Sequence, residues 1–138
     1  MGDGAGACEL CREDGGKVLW RDGFCRVVLV GDPDYPAFCR VILERHAREM
    51  TDLDEAERAR LMHVVFAVEA VLRELLNPDK VNLASLGNVV PHVHWHVIPR
   101  FQSDRHFPAP VWGTPQQASP LRAPVDASRL AAALASRL

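Results

Sequence analysis

The stretch His92-Val93-His94-Trp95-His96-Val97-Ile98-Pro99-Arg100 decides the reading of the fold. Side chains of a β-strand point alternately to its two faces, so His92, His94 and His96 share one face and Val93, Trp95 and Val97 the other. The apolar set calls for a core behind it, which makes 92–100 a strand whose register is pinned by burial. Three imidazoles then line the opposite surface. Three half-exposed polar residues would be the plainest account of them. A metal held by all three is strained, because successive members stand roughly 6 to 7 Å apart along the strand. The third account is chemical: a neutral imidazole near pH 7 is a competent nucleophile once a partner on its other nitrogen selects the tautomer.

Working backwards, Val81 to Leu86 reads as a fourth strand, joined to the histidine strand through the turn residues Gly87-Asn88. Before it, Asp54 followed three residues later by Glu57 is a capping-box signature for a long helix. The apolar residues Leu61, Val65, Val68, Leu72 and Leu75 recur at spacings of three and four, and Asn77-Pro78 stops the pattern. Lys17 to Trp20 and Phe24 to Val30, separated by Arg21-Asp22-Gly23, read as a hairpin, and Phe38 to Leu43 as a third strand. Beyond Arg100, prolines at 108, 110, 115, 120 and 124 predict an irregular tail running extended over the surface. Asp126 to Leu138 predicts a short terminal helix. The fold class expected is α+β, with one domain: a core unit over 1–101, and a proline-rich tail over 102–138 belonging to the same domain.

The bulk numbers exclude several function classes. With 138 residues, 48% hydrophobic and 25% charged, the chain has the balance of one ordinary globular domain. A net charge of −2 provides no global positive field for long nucleic acid, so an anionic ligand must be captured locally. No apolar run approaches a membrane span. The opening Met1-Gly2-Asp3-Gly4-Ala5-Gly6-Ala7 has neither the basic nor the apolar part of a signal peptide and is expected to fray, which points to the cytoplasm. Structural disulfides are rare there, so Cys25 and Cys39, set among strand residues, read as buried thiols. Cys8 and Cys11 have the spacing that lets two thiolates reach one Zn²⁺, although a redox dithiol or two unligated thiols share it.

The run His-apolar-His-apolar-His-apolar-apolar on a late strand resembles the signature of the histidine-triad (HIT) superfamily, and the likeness extends from about Cys8 to Arg100. The resemblance implies a five-stranded antiparallel sheet with a long helix, usually paired as a homodimer with a continuous sheet. It also implies an enzyme, a nucleotide hydrolase cleaving at the α-phosphate of dinucleoside polyphosphates or nucleoside phosphoramidates. His94 would be the nucleophile that forms a nucleotidyl-histidine, and His96 would donate hydrogen bonds to phosphate oxygens that gain charge. His96 also argues for hydrolase over transferase, since uridylyltransferases of the wider superfamily carry glutamine there. Asn88 stands where relatives contact phosphate, and Asp32 is the candidate for the ribose.

The same resemblance closes the cysteine pair into a structural zinc site of Cys8, Cys11, His46 and His92. One departure stands out: relatives commonly carry Gly-His at the start of strand three, where this chain has Ala37-Phe38. That missing imidazole is the best support for an alternative function, a nucleotide-binding or zinc-stabilised interaction protein with little turnover. His63, within the long helix, has no assigned role. Trp112, in the tail, reads as an anchor or as an aromatic platform for a base.

Overall fold

The structure, a computed structural model, describes residues 5–138. The expectation of a frayed start therefore lies outside the described residues for the first four positions. Ala5–Ala7 form a single 3₁₀ turn, followed by a helix α1 (Glu9–Arg12) that the sequence reading had not anticipated.

Five strands form one antiparallel sheet: β1 (Lys17–Arg21), β2 (Cys25–Leu29), β3 (Cys39–Leu43), β4 (Lys80–Ala84) and β5 (His94–Arg100), in the order β1-β2-β3-β5-β4. The long helix α2 (Glu55–Leu76) and a terminal helix α3 (Ala127–Arg137) complete an α+β architecture. α2 begins where the capping box placed it: Asp54 accepts from the Glu57 amide while the Glu57 side chain accepts from the Asp54 amide. It ends at Asn77, in the left-handed conformation that asparagine tolerates. Its stripe of Leu61, Val65, Val68 and Leu72 is buried against the sheet, each side chain contributing about 1.5–3 kcal/mol by burial. Leu130 and Leu134 of α3 enter the same core.

Several boundaries differ from those read in the sequence. Phe24 is not in β2, because the Asp22 carboxylate accepts from both the Phe24 and Cys25 amides and holds the chain in a turn. β4 stops at Ala84 rather than Leu86. β5 begins at His94 rather than His92: Pro91 has no amide to give a ladder, the His92 amide bonds to Val90 and the Val93 amide to Ala47. His92 therefore sits in a turn at the mouth of β5.

The proline-rich segment is likewise not an extended surface strip. It folds into successive turns closed by Asp104–Phe101, Phe107–Asp104 and Ala109–His106 backbone bonds. A buried ion cluster pins it. Arg100 bonds Asp104 at 3.0 Å, Asn82 at 2.8 Å and the Ala109 carbonyl at 2.8 Å, while Arg122 holds the second oxygen of Asp104. Among the described residues no helix is long and apolar enough to cross a membrane.

Candidate active site

β5 lies between β3 and β4, so its side chains are held from both flanks. Val97 packs into the core on one face, while His94 and His96 occupy the other. The His94 Nδ1–H donates to the His92 carbonyl at 2.5 Å, which leaves Nε2 as the nitrogen carrying the lone pair. The Ser85 hydroxyl donates to the His94 carbonyl at 2.7 Å and steadies the strand there. Burial lowers the His94 pKa below the ordinary histidine value, against the hydrogen bond that its ring donates to the His92 carbonyl, so the ring is neutral at pH 7. His96 is lowered further, to about 4, by burial first and then by the charges of His94 and Arg40.

A cavity of about 370 Å³ opens over these two rings and is also lined by Asn88, Arg40, Glu9 and Trp112. The chain thus brings together His94, His96 and Asn88, three of the residues singled out in the sequence. His92 does not line the cavity, so two imidazoles face it rather than three. Gly87, beside Asn88, has φ +72°, a conformation that glycine adopts without the strain a side chain would bring. Asp32 is not brought to the cavity; its carboxylate accepts from the Asp34 amide at 2.8 Å and closes a turn.

Phe38 is buried where the resemblance led one to look for a histidine. Its ring meets His96 edge-on at 5.5 Å between centroids, and Trp112 closes on His96 at 4.9 Å. His96 is therefore wedged between two aromatic rings. Its Nδ1 is buried with no hydrogen-bond partner among the described residues, a polar group left waiting for one.

The first histidine of the triad, His92, belongs to a second cluster. Cys8, Cys11, His46 and His92 offer ligand atoms that all lie within 4.8 Å of one another. The amides of Cys11 and Arg12 both donate to the Cys8 carbonyl, and this tight turn brings the two sulfurs together. Cys8 Sγ is 3.3 Å from His92 Nδ1, and Cys11 Sγ is 3.4 Å from both His46 Nδ1 and His92 Nδ1. Sulfur and nitrogen ligands of one tetrahedral Zn²⁺ stand roughly 3.6 Å apart, so the set fits that ion. His92 Nε2–H donates to the Leu43 carbonyl at 2.6 Å, which turns Nδ1 towards the cluster. Cys25 and Cys39 are buried free thiols, each pushed up to about 12 by burial.

Two arginines beside these clusters escaped the sequence reading. Arg26, on β2, is buried and donates to the carbonyls of Leu10, Glu13 and Asp14 at 2.7, 3.0 and 2.9 Å, and pairs with Glu44 at 3.0 Å. It clamps the cysteine-bearing segment to the sheet. Arg40 stands opposite His96 across the β3–β5 ladder and on the same face. The signal for both was a lone charge inside an apolar strand, which has to be explained by a partner.

Comparisons with known proteins agree with this fold. The family model of the HIT domain matches residues 12–103. A histidine triad protein from Bradyrhizobium japonicum has a solved structure that is 32% identical, with a TM-score of 0.71 and coverage of 90% of this chain and 91% of that one. One from Marinobacter aquaeolei VT8 is 28% identical with a TM-score of 0.75, covering 91% and 93%. Among curated proteins, an asymmetrical bis(5'-nucleosyl)-tetraphosphatase from Schizosaccharomyces pombe is 28% identical over 95 residues, which are 65% of this chain and 52% of that protein. An AP-4-A phosphorylase from Mycobacterium tuberculosis is 28% identical over 101 residues, 69% of this chain and 52% of that protein. The chain spans about half the length of these curated relatives. With two β5 histidines over one cavity, the five-strand order and a domain model matched across most of its length, the chain belongs to the HIT domain family.

Proposed function

We propose that the protein is a nucleotide hydrolase that cleaves at the α-phosphate of dinucleoside polyphosphates or nucleoside phosphoramidates through a nucleotidyl-His94 intermediate. The observation that carries this reading is the Nδ1–H bond from His94 to the His92 carbonyl, which leaves Nε2 unprotonated on a ring that burial keeps neutral. Relatives named for tetraphosphatase and AP-4-A phosphorylase activity support the substrate class.

In the first step Nε2 of His94 gives its lone pair to the α-phosphorus, and the bond to the leaving group breaks with its electron pair going to that group. A leaving phosphate departs as an anion; a leaving amine keeps the electron pair of the broken P–N bond and takes a proton from solvent water. Water then attacks the phosphorus, the N–P bond returns its pair to Nε2, and the water's proton is released. His96 and Asn88 donate to the non-bridging oxygens, while Asp32, the sequence candidate for the ribose, stands outside the cavity and would meet only a part of the nucleotide that extends beyond it.

The Cys8, Cys11, His46 and His92 set would hold a structural Zn²⁺; four protein ligands close the coordination sphere, so the ion supplies rigidity rather than an activated water. A homodimer fits the open edge of β4, along which a groove lined by Lys80, Val81, Asn82, Leu83 and Ala84 runs. Cys25 and Cys39, buried as free thiols, fit a cytosolic location for the enzyme.

The test is trapping. Incubation with a labelled adenine dinucleotide followed by rapid denaturation is expected to leave label on the wild type and none on His94→Ala, whose turnover falls by more than about a hundredfold. A wild type that binds the nucleotide yet neither turns over nor takes up label would leave the low-turnover binding protein instead.

A further inference from the structure

The sheet carries three arginines with substantial burial, and two of them have carboxylate partners. Arg26 holds Glu44 and Arg100 holds Asp104. Arg40, half-buried on β3, has none among the described residues: its Nη1 donates to the Gly15 carbonyl at 3.4 Å, and its Nε is buried without a partner. The opposing charge that Arg40 feels is that of Glu9, which lines the same cavity and acts through space without an ion pair; a guanidinium withdrawn from water without a paired carboxylate is costly, and arginine does not shed its proton to escape the cost. The strand gains nothing from it, since Val41 and Ile42 beside it are buried apolar residues. What Arg40 does have is position. It faces the cavity over His94 and His96, stands directly opposite His96 in the β3–β5 register, and has donors free in a planar fork suited to phosphate oxygens.

We propose that Arg40 forms an anion subsite on the floor of the histidine cavity, which takes the phosphates beyond the one attacked and so favours polyphosphate substrates over phosphoramidates. The proposal rests on the hydrolase reading for its consequence in turnover, but its binding half stands alone. As the P–O bond breaks, the departing polyphosphate gains the electron pair, and the fixed guanidinium neutralises that charge without reorganising. An amine leaving group departs neutral and offers Arg40 nothing to hold. Gly15 holds one arm of the fork: at φ +83°, where a side chain would meet Ile42 and Leu10 at 2.9 Å, it lets the backbone come close enough to orient Arg40 from outside the cavity.

The experiment compares wild type, Arg40→Gln and Arg40→Lys in three measurements: kcat/KM on diadenosine tetraphosphate, kcat/KM on adenosine phosphoramidate, and calorimetric binding of inorganic pyrophosphate. Loss of a charge-assisted hydrogen-bonding group worth about 1.5–3 kcal/mol corresponds to roughly 10- to 100-fold, so Arg40→Gln is expected to lose that much on the tetraphosphate and in pyrophosphate affinity. The phosphoramidate should fall by less than about threefold, because no leaving anion is lost. Arg40→Lys keeps the charge without the fork and should lie between; it also carries the test should Arg40→Gln fail to fold. Equal losses on both substrates, or unchanged tetraphosphate turnover, would overturn the subsite. If the wild type cleaves neither nucleotide, the hydrolase reading fails and the pyrophosphate titration decides the rest. Binding that disappears in Arg40→Gln upholds the subsite, and binding absent in the wild type or intact in the variant removes it.

Discussion

His94 and His96 sit two residues apart on one strand face, yet their surroundings divide the work between them. His94 has its Nδ1 committed to a backbone carbonyl, whereas His96 has a buried Nδ1 with no partner and aromatic rings at 4.9 and 5.5 Å. A nitrogen fixed in this way presents one lone pair in one direction; a nitrogen left unpaired gains a hydrogen bond only when something enters the cavity. That difference suits nucleophile and stabiliser respectively. His96→Ala is expected to lower kcat by about 10- to 1000-fold while labelled intermediate still forms on His94, as loss of a preorganised stabilising group does elsewhere. Rapid-quench measurement of label checks it, and a rate equal to wild type would show that His96 only packs between Phe38 and Trp112. Phe38 itself was legible in the sequence as a departure, but its role as one wall of the His96 slot was not, because a one-dimensional pattern does not say which rings will meet.

At the scale of elements, the histidine strand works because its neighbours hold the chain entering it. The turn at 90–93 is tied by Val93 to Ala47 and by Leu43 to Val93, so the end of β3 and the start of β5 are coupled before the ladder proper begins. The N-terminal segment is coupled to the same place by Arg26, which satisfies three carbonyls that the short helix α1 and the turn after it leave open. Arg26→Met keeps most of the volume but removes those bonds and leaves Glu44 with only Arg21. Denaturant unfolding should report a loss of about 2–4 kcal/mol, the scale for removing one partner of a buried, charge-assisted network. A loss below about 0.5 kcal/mol would mean that the cysteine segment is held by the metal cluster alone.

On the scale of the whole molecule, the cysteine–histidine cluster joins pieces that are far apart in the chain: Cys8 and Cys11 from the N-terminal segment, His46 after β3 and His92 before β5. A bound ion stabilises only the folded state, because these four ligands meet nowhere else. Purified protein is therefore expected to carry close to one zinc per chain by elemental analysis. Cys11→Ser should lower zinc content and melting temperature together, and activity should fall partly, through the strand that His92 and His94 share. Identical melting with and without chelator, in protein that takes up no added zinc, would remove the ion and leave the four residues as a packed polar cluster.

The sequence by itself determined the succession of the five strands and of α2 and α3, both ends of α2 and the pairing of His94 with His96, because these depend on local periodicity and capping chemistry that short stretches of chain carry within themselves. Its two-residue cysteine spacing and alternating histidines were equally local, which is why the meeting of Cys8, Cys11, His46 and His92 was legible once a family resemblance joined His46 and His92 to the pair. What only the tertiary structure decided were the events that depend on distant partners. Pro91 and the Ala47 carbonyl took His92 out of the strand. Asp104, held between Arg100 and Arg122, folded the proline-rich segment into turns rather than letting it run extended. Arg40 and Arg26 looked alike as lone charges in apolar strands, and only long-range packing gave one of them a carboxylate and left the other facing a cavity. A buried charge must find its counter-charge wherever the fold places one, and no local pattern in the chain records where that will be.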